Sequence, residues 1–244
     1  MGDAKTSYGR LAPSYDRLRP VDENWWEVFD AMVEHGNLLG RRVLDVGCGT
    51  GVLAAALVER GSRVWGVDAS EEMLVQAAAR AGRGLAFKPG LAESLPFKDG
   101  WFERVVFRLV VHAVDRERAF VESRRVLALS GRVVIATFDP EHFDHYWLND
   151  FFPEVQEIDR ARFPRKEALA AELSVAGFAS TDVTRISQVS RLTGESALER
   201  IRGRFISTLA LLDDDAYDAG LARAERALGE VIENRLEWLV IAAE

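Results

Sequence analysis

The chain has little of the chemistry that disulfide-stabilised or membrane-spanning proteins need. Cys48 is its only cysteine among 244 residues, which rules out an intrachain disulfide and disfavours a zinc site built from thiolates. No uninterrupted apolar stretch approaches the ~20 residues that cross a bilayer. The opening segment MGDAKTSYGRLAPSYD lacks the apolar stretch of a signal peptide. Together these absences predict a cytoplasmic protein.

The chain also has no excess of positive charge. Its net charge is −8 and its isoelectric point is near 5.2, which argues against general attraction to nucleic acid or to an anionic membrane. It contains no internal repeat, no low-complexity tract and no linker rich in proline and glycine. These features predict one domain over residues 1–244, with a helical insertion at about 194–232.

Strand and helix patterns alternate after an N-terminal helical segment. The predicted strands are RRVLDV, SRVWGVD, LAFKPG, FERVVFRLVV and GRVVIATF, and helical patterns follow the first, second and fourth. Ser70 and Asp115 are placed to cap two of these helices. The alternation predicts an α/β fold, a parallel sheet with helices on both faces and ligands bound beyond the carboxyl ends of the strands.

The second half of the chain has a different pattern. Residues 139–165 are aromatic-rich and are predicted to be irregular, RKEALAAELSVAGF to be a helix and STDVTRISQVSRL to be a long strand. Two helical patterns fill 194–232, and RLEWLVIAAE closes the chain as a strand. The insertion could form a lid or a dimer surface, although core packing is the usual reason for its apolar stripe.

The stretch VLDVGCGTG, residues 43–51, places a glycine-rich turn at the end of the first strand. Glycines there permit positive φ and close approach of a ligand to the backbone. A phosphate-binding loop needs a Lys-Ser or Lys-Thr pair after its last glycine, and this chain has Val52 and Leu53. A dinucleotide site remains open, since GTGVLA followed by Asp68 fits the loose form of that motif. Asp45 disfavours it, because a carboxylate suits a cationic group better than a pyrophosphate.

Five segments in order resemble the class I S-adenosylmethionine-dependent methyltransferases, in their small-molecule branch. They are VLDVGCGTG, VWGVDASEEML, GLAESLPFKDGWFERVV, FRLVVHAVD and SGRVVIATF. YDRLRP, residues 15–20, resembles the N-terminal lid often found in that branch. The resemblance covers about residues 8–138 and, less specifically, the closing strand.

The resemblance implies a Rossmann-like three-layer sandwich with a seven-stranded, mostly parallel sheet and an antiparallel last strand. It implies an N-terminal lid and helix over 1–40, a cofactor-binding half over 41–138 and an acceptor-side half over 139–244. The cofactor is expected to be S-adenosylmethionine, with S-adenosylhomocysteine as product. The expected cofactor-binding residues are Tyr15, Asp45, Gly47, Cys48, Gly49, Gly51, Asp68, Ala69, Met73, Ala92, Glu93 and Arg108.

The roles within that set follow the resemblance. Asp45 is expected to face the methionine amino group and Asp68 to accept hydrogen bonds from both ribose hydroxyls. Met73 is expected to contact the adenosine, and Arg108 to lie near the reactive end through its backbone. Ala92 and Glu93 are expected at the adenine edge, where Leu91 replaces the acid that the family commonly has.

Some of these positions also have plain structural interpretations. Asp68 could cap the following helix, Cys48 is expected to pack beside the turn, and Tyr15 could pack the N-terminal arm instead of covering the cofactor. His112, after the fourth strand, is the first candidate for a general base, although a structural role is also open. His142 and His145 come next, and their spacing does not lead us to expect a metal site.

The sequence therefore predicts methyl transfer to an O, N or C atom of a small or medium-sized organic acceptor, with no nucleic acid or membrane partner. Two alternatives remain. A nicotinamide-dependent oxidoreductase would use the GTGVLA turn, and a non-catalytic protein of the same fold would bind the cofactor without transferring a methyl group. The aromatic segment 138–152 could line the acceptor pocket or fill the core.

Overall fold

The computed structural model describes residues 11–244. Three sequence-based expectations concern the preceding residues in part: the lack of a signal peptide, the start of the resemblance near residue 8 and the first part of the 1–40 lid. For residues 1–10 they lie outside the described part of the chain.

A seven-stranded sheet in the order β3-β2-β1-β4-β5-β7-β6 forms the centre of the molecule. Neighbouring strands from β3 to β5 are parallel, and β7 is antiparallel to both β5 and β6. This confirms the predicted fold class, including the antiparallel last strand. The strands are β1 Arg42–Val46, β2 Arg63–Asp68, β3 Leu85–Pro89, β4 Phe102–Arg108, β5 Leu127–Phe138, β6 Thr181–Thr193 and β7 Val231–Ala243.

Helices cover both faces of the sheet, because the central strands are apolar on both sides. Val43, Val106 and Val134 pack with α2 and α3, whereas Leu44, Val105 and Phe107 pack with α5 and α7. The helices are α1 Tyr15–Leu18, α2 Glu23–Gly36, α3 Val52–Glu59, α4 Glu71–Ala78, α5 Arg116–Val126, α6 Pro153–Arg162, α7 Lys166–Val175, α8 Gly194–Arg202 and α9 Asp214–Ala227.

Local sequence signals explain where several helices begin. Ser70 Oγ accepts the Met73 amide at 3.2 Å, and Asp115 Oδ1 accepts the Arg118 amide at 3.3 Å, which confirms both predicted caps. Asn37, in the left-handed region with φ +46°, ends α2 directly after Gly36.

Three predicted boundaries are wrong. β5 begins at Leu127, before the predicted strand GRVVIATF, because Leu127 pairs with Phe102 at an irregular point of the ladder. Helix α6 lies inside the segment that we expected to be irregular, where Pro153 starts it and Val155 and Asp159 share its buried side. β7 begins at Val231, where its pairing with Thr193 starts, so the helical insertion ends earlier than expected.

The aromatic segment 139–152 and helices α6, α8 and α9 form what we call the helical cap. They share one apolar cluster, against which Leu109 and Phe138 also pack. Since these two residues follow the carboxyl end of β4 and end β5, the cap lies at the ligand-binding edge of the sheet. Within residues 11–244, no helix combines the length and the apolar character that crossing a membrane requires.

Candidate cofactor and acceptor site

The glycine turn after β1 has the backbone conformation that its sequence predicts. Gly47, Gly49 and Gly51 have φ of +68°, +54° and +82°. A Cβ at Gly47 would lie 2.4 Å from Val110 Cγ2, and one at Gly51 would lie 2.5 Å from the Phe87 ring. Only Gly49 of the three faces open space. Gly47 and Gly51 therefore permit close packing, and Gly49 leaves room for a ligand against the backbone.

Asp45 lies behind this turn with a buried carboxylate. The side chain is 1% exposed, and its Oδ2 has no hydrogen-bond partner among the described residues. Burial, helped by the negative charge of Asp68, raises the pKa of Asp45 to about 7, against the attraction of Arg108. An unpartnered buried oxygen of this kind fits a cationic ammonium group or a water bound to it.

Asp68, at the end of β2, organises the turn from the other side. Its Oδ2 accepts the Gly49 amide and its Oδ1 accepts the Ser70 amide, each at 2.8 Å. Burial raises the pKa of Asp68, and these hydrogen bonds oppose the rise. Each oxygen keeps a lone pair for a further donor, so the carboxylate can also accept from two ribose hydroxyls. The capping interpretation and the ribose interpretation are thus compatible.

The N-terminal segment is fastened to the glycine turn by contacts that sequence reasoning missed. Asp16 accepts a hydrogen bond from Thr50 Oγ1 at 2.6 Å and from Arg80 Nη2 at 2.7 Å. Arg80 Nη1 also donates to the Thr50 carbonyl at 3.0 Å. These three residues, which we call the clamp, are far apart in sequence and belong to no periodic pattern. Only the fold brings them together.

Tyr15, which precedes Asp16 of the clamp in the chain, packs against an apolar cluster that contains Met73. Met73 is 2% exposed and forms a small apolar cluster with Leu11 and Ala12, against which Tyr15 packs. The expected adenosine contact at Met73 therefore requires the N-terminal segment to move. Tyr15 thus packs against the cofactor half, and its role as a lid over the cofactor stays a prediction.

Asp16→Asn is expected to speed the dissociation of S-adenosylhomocysteine several-fold. The variant loses the charge that holds Arg80. The free energy of unfolding falls by only about 1 kcal/mol or less, because the ion pair is partly solvated. Stopped-flow displacement measures the rate. Glu23→Gln, an exposed substitution in the next helix, is the control, and an unchanged rate in Asp16→Asn would exclude a gating role for the clamp.

The residues predicted at the adenine edge differ in their exposure and contacts. Ala92 is buried in the main apolar cluster, whereas Ala69 and Leu91 are exposed. Glu93 Oε1 accepts the Asp115 amide at 2.8 Å, so this carboxylate is engaged at the start of α5. The assignment of Glu93 to adenine recognition stays a prediction, and exposed Leu91 offers apolar surface there.

Cys48 is buried as its packing interpretation predicts, whereas the Arg108 side chain has contacts that we did not expect. Cys48 is buried, and burial together with the nearby carboxylates raises the pKa of its thiol, which fits packing rather than reactivity. The Arg108 guanidinium lies 5.0 Å from the Trp25 ring and 5.3 Å from the Trp238 ring. We expected Arg108 to act through its backbone, but its side chain also reaches the site, where burial lowers its pKa to about 10.

His112 lies under the helical cap and stacks on Phe163, with ring centroids 4.1 Å apart. Its Nδ1 has no hydrogen-bond partner among the described residues. Burial, with the charges of Arg162 and Arg19, lowers the pKa of His112 to about 3. The imidazole is therefore neutral at pH 7. Its low basicity suits a hydrogen bond to the substrate that accepts the methyl group better than removal of a proton from it.

The aromatic segment of the cap is mostly packed core. Phe143, Trp147 and Phe152 are buried, and His142 lies among the rings of Phe138, Phe143 and Tyr146. Burial lowers the pKa of His142 to about 4. Within residues 11–244, no cluster of three His, Cys, Asp or Glu side chains could hold a metal ion. The segment therefore acts mainly as the core of the cap, with part of Phe138 left exposed.

A cavity of about 680 Å³ lies at the opposite end of the sheet. It is lined at the amino ends of β1 and β2 by Arg42, Arg63 and Trp65, together with Trp101. Because parallel sheets bind ligands at the carboxyl ends of their strands, this cavity is not the cofactor site.

Comparison with known proteins agrees with this geometry. Residues 44–135 match the family model described as a methyltransferase domain. A demethylmenaquinone methyltransferase of Thermus thermophilus is 32% identical over 206 residues, covering 70% of this chain and 90% of that protein. An uncharacterized methyltransferase of Mycobacterium tuberculosis is 37% identical over 131 residues, or 54% of this chain. The match spans 51%, about half, of that relative's length.

A solved structure supports the fold. A protein of Anabaena variabilis, described as a candidate methyltransferase from an antibiotic biosynthesis pathway, superimposes with a TM-score of 0.74 at 24% identity. The superposition covers 90% of this chain and 97% of that one. Together with the glycine turn, Asp45 and Asp68, these similarities show that the chain belongs to the class I S-adenosylmethionine-dependent methyltransferase family.

Proposed function

We propose that the protein transfers a methyl group from S-adenosylmethionine to an O, N or C atom of a small or medium-sized organic acceptor. The observation that carries this proposal is the buried Asp45 carboxylate, whose Oδ2 has no partner within the described residues 11–244, together with the open face of Gly49 in the same turn. An ammonium group satisfies that oxygen, whereas the pyrophosphate of a nicotinamide cofactor is repelled by it. Asp45 therefore disfavours the oxidoreductase alternative.

The residues of the site position the cofactor and the acceptor and do not act as a strong acid or base. Asp45 and Asp68 fix the two ends of the cofactor, and the clamp of Asp16, Thr50 and Arg80 closes the N-terminal segment against the turn. Bound S-adenosylmethionine supplies a methyl group that its sulfonium already activates. Alignment of an acceptor against that methyl group can account for several orders of magnitude in rate.

His112 is proposed to orient the acceptor through its neutral imidazole. His112→Ala is expected to lower kcat/KM by about 10- to 100-fold, because the site loses a buried hydrogen-bonding group. With a pKa near 3, His112 should leave no inflection in the pH profile of kcat between pH 5 and 9. Steady-state rates over that range measure both effects. An unchanged kcat/KM in His112→Ala excludes the role.

Transfer of a labelled methyl group to a panel of small O, N and C nucleophiles tests the proposed function. Formation of S-adenosylhomocysteine together with a labelled product supports it. Tight cofactor binding without transfer to any compound supports the non-catalytic alternative.

A further inference from the structure

Two like-charged guanidinium groups lie close together where the N-terminal segment meets the cap. Arg19, just after α1, donates from Nη2 to the Phe205 carbonyl, and its guanidinium lies 4.1 Å from the centre of the Tyr15 ring. Arg200, on α8, lies 5.9 Å from the centre of the Phe205 ring. Phe205 thus holds one arginine through its backbone and the other through its ring.

Neither guanidinium forms an ion pair with a carboxylate within residues 11–244, although the more distant charge of Asp22 favours the charged form of Arg200. Among residues 11–244, no Asp or Glu oxygen lies within ion-pair distance of Arg19 or Arg200. Acids are not scarce, because the chain has 39 acidic and 31 basic residues. The neighbouring arginines on the same elements are paired: Arg17 with Glu199, and Arg202 with Glu225 at 2.8 Å. Arg17 and Arg202, the outer arginines, are therefore ion-paired. Arg19 and Arg200, which we call the inner arginines, have no such partner among the described residues.

The inner arginines belong to a larger region of positive charge around His112 and Tyr146. Arg162 forms an ion pair with one acid among the described residues, Asp159, at 3.5 Å. Burial raises the pKa of Asp159 to about 6. Burial lowers the pKa of Arg200 and the charge of Arg19 adds to this effect, whereas Tyr146 and Asp22 oppose it. Leaving two half-buried cations without an ion-pair partner is costly in a folded protein, which favours an anion from outside the chain.

The position of Arg19 connects this region to the cofactor half. Its charge lowers the pKa of Arg108 on one side and of His112 on the other. Aromatic side chains contact both cations: Tyr15 lies against Arg19 and the Phe205 ring lies against Arg200, while Phe163 stacks on His112. A ligand held here therefore meets cations at one end and apolar rings around them.

We propose that the methyl acceptor is an organic anion whose carboxylate or phosphate group binds Arg19 and Arg200. Guanidinium groups match both anions through paired N–H donors, and the aromatic surroundings suit an apolar body attached to the charged group. This inference rests on the proposed function, because it assigns the acceptor of the same site.

Calorimetric titration of the full chain saturated with S-adenosylhomocysteine tests the assignment. The probes are phenylacetate, phenyl phosphate and the neutral phenylacetamide, which share an aromatic body. At least one anion is expected to bind about tenfold or more tightly than the amide, and the two anions distinguish a carboxylate site from a phosphate site. Equal binding of anion and amide, or no binding of either anion at millimolar concentration, would overturn the inference.

Matched variants locate the effect. Arg200→Gln is expected to lose the preference for the anion, Arg202→Gln on the same helix to keep it, and Arg200→Lys to retain part of it. Arg19→Gln and Arg17→Gln form the second pair. Because Arg200 has no acidic partner among the described residues, Arg200→Gln should melt no lower than the unmodified protein. An unchanged preference in Arg200→Gln contradicts the assignment.

The same titrations separate this inference from the proposed function. Failure of the unmodified protein to bind S-adenosylhomocysteine counts against methyl transfer itself. Binding of S-adenosylhomocysteine without any preference for the anionic probes refutes only the assignment of the acceptor.

Discussion

Asp45→Asn is expected to stabilise the cofactor-free protein at pH 8 and to weaken its binding of S-adenosylmethionine about 10- to 100-fold. The pKa of Asp45 rises from the ordinary value of 3.8 to about 7 in the folded protein, mainly through burial. Between these values the folded state holds a proton that the unfolded state has lost. Stability therefore falls as the pH rises from about 4 to about 7, and the variant escapes this loss.

The gain of Asp45→Asn over the unmodified protein should grow by about 2–3 kcal/mol between pH 5 and pH 8, or about 5–10 °C in the melting midpoint. Thermal unfolding at several pH values measures it. Asp218→Asn, an exposed substitution on α9, should show no such trend. A gain that is independent of pH, or undiminished affinity for S-adenosylmethionine, would contradict the role of Asp45.

Asp68→Asn is expected to weaken S-adenosylhomocysteine binding by about 100-fold or more. The carboxylate offers acceptors to two ribose hydroxyls in addition to the two backbone amides that it already binds, and an amide side chain cannot supply both functions. Loss of two hydrogen bonds to a charged group accounts for about 3 kcal/mol or more.

Isothermal titration with S-adenosylhomocysteine measures this loss. Glu71→Gln, an exposed change at the start of α4, is the control for a change of charge near the turn. Asp68→Ala serves as a second variant, which removes both acceptors. If Asp68→Asn binds as tightly as the unmodified protein, Asp68 acts only as a cap for the turn and the helix.

Local patterns predict the cofactor half well. The alternation of strands and helices, the glycine turn and the caps at Ser70 and Asp115 each depend on residues adjacent in sequence, and the structure contains all of them. Positive φ at Gly47, Gly49 and Gly51 follows from the same local requirement. Asp45 and Asp68 approach the same turn because they lie in neighbouring parallel strands that end at one edge of the sheet.

The lid and the cap are less predictable because long-range contacts define them. Asp16 and Arg80 are 64 positions apart, and Arg19 meets Phe205 across 186 positions. No periodicity connects such pairs. The side chain of Arg108 lies between two tryptophans from opposite ends of the chain, Trp25 and Trp238, so its position depends on the sheet order. Helix α6 was not predicted, because the aromatic residues that precede it led us to expect an irregular segment.

Thermal unfolding with saturating S-adenosylmethionine, S-adenosylhomocysteine, NADH or NADPH tests the central claim most directly. A ligand at ~100 times its dissociation constant adds about 2.7 kcal/mol, which corresponds to about 5–10 °C in a chain of this size. We expect this rise with the two adenosyl ligands and its loss in Asp68→Asn. A rise with a nicotinamide cofactor alone would contradict the account and make the glycine turn a pyrophosphate site.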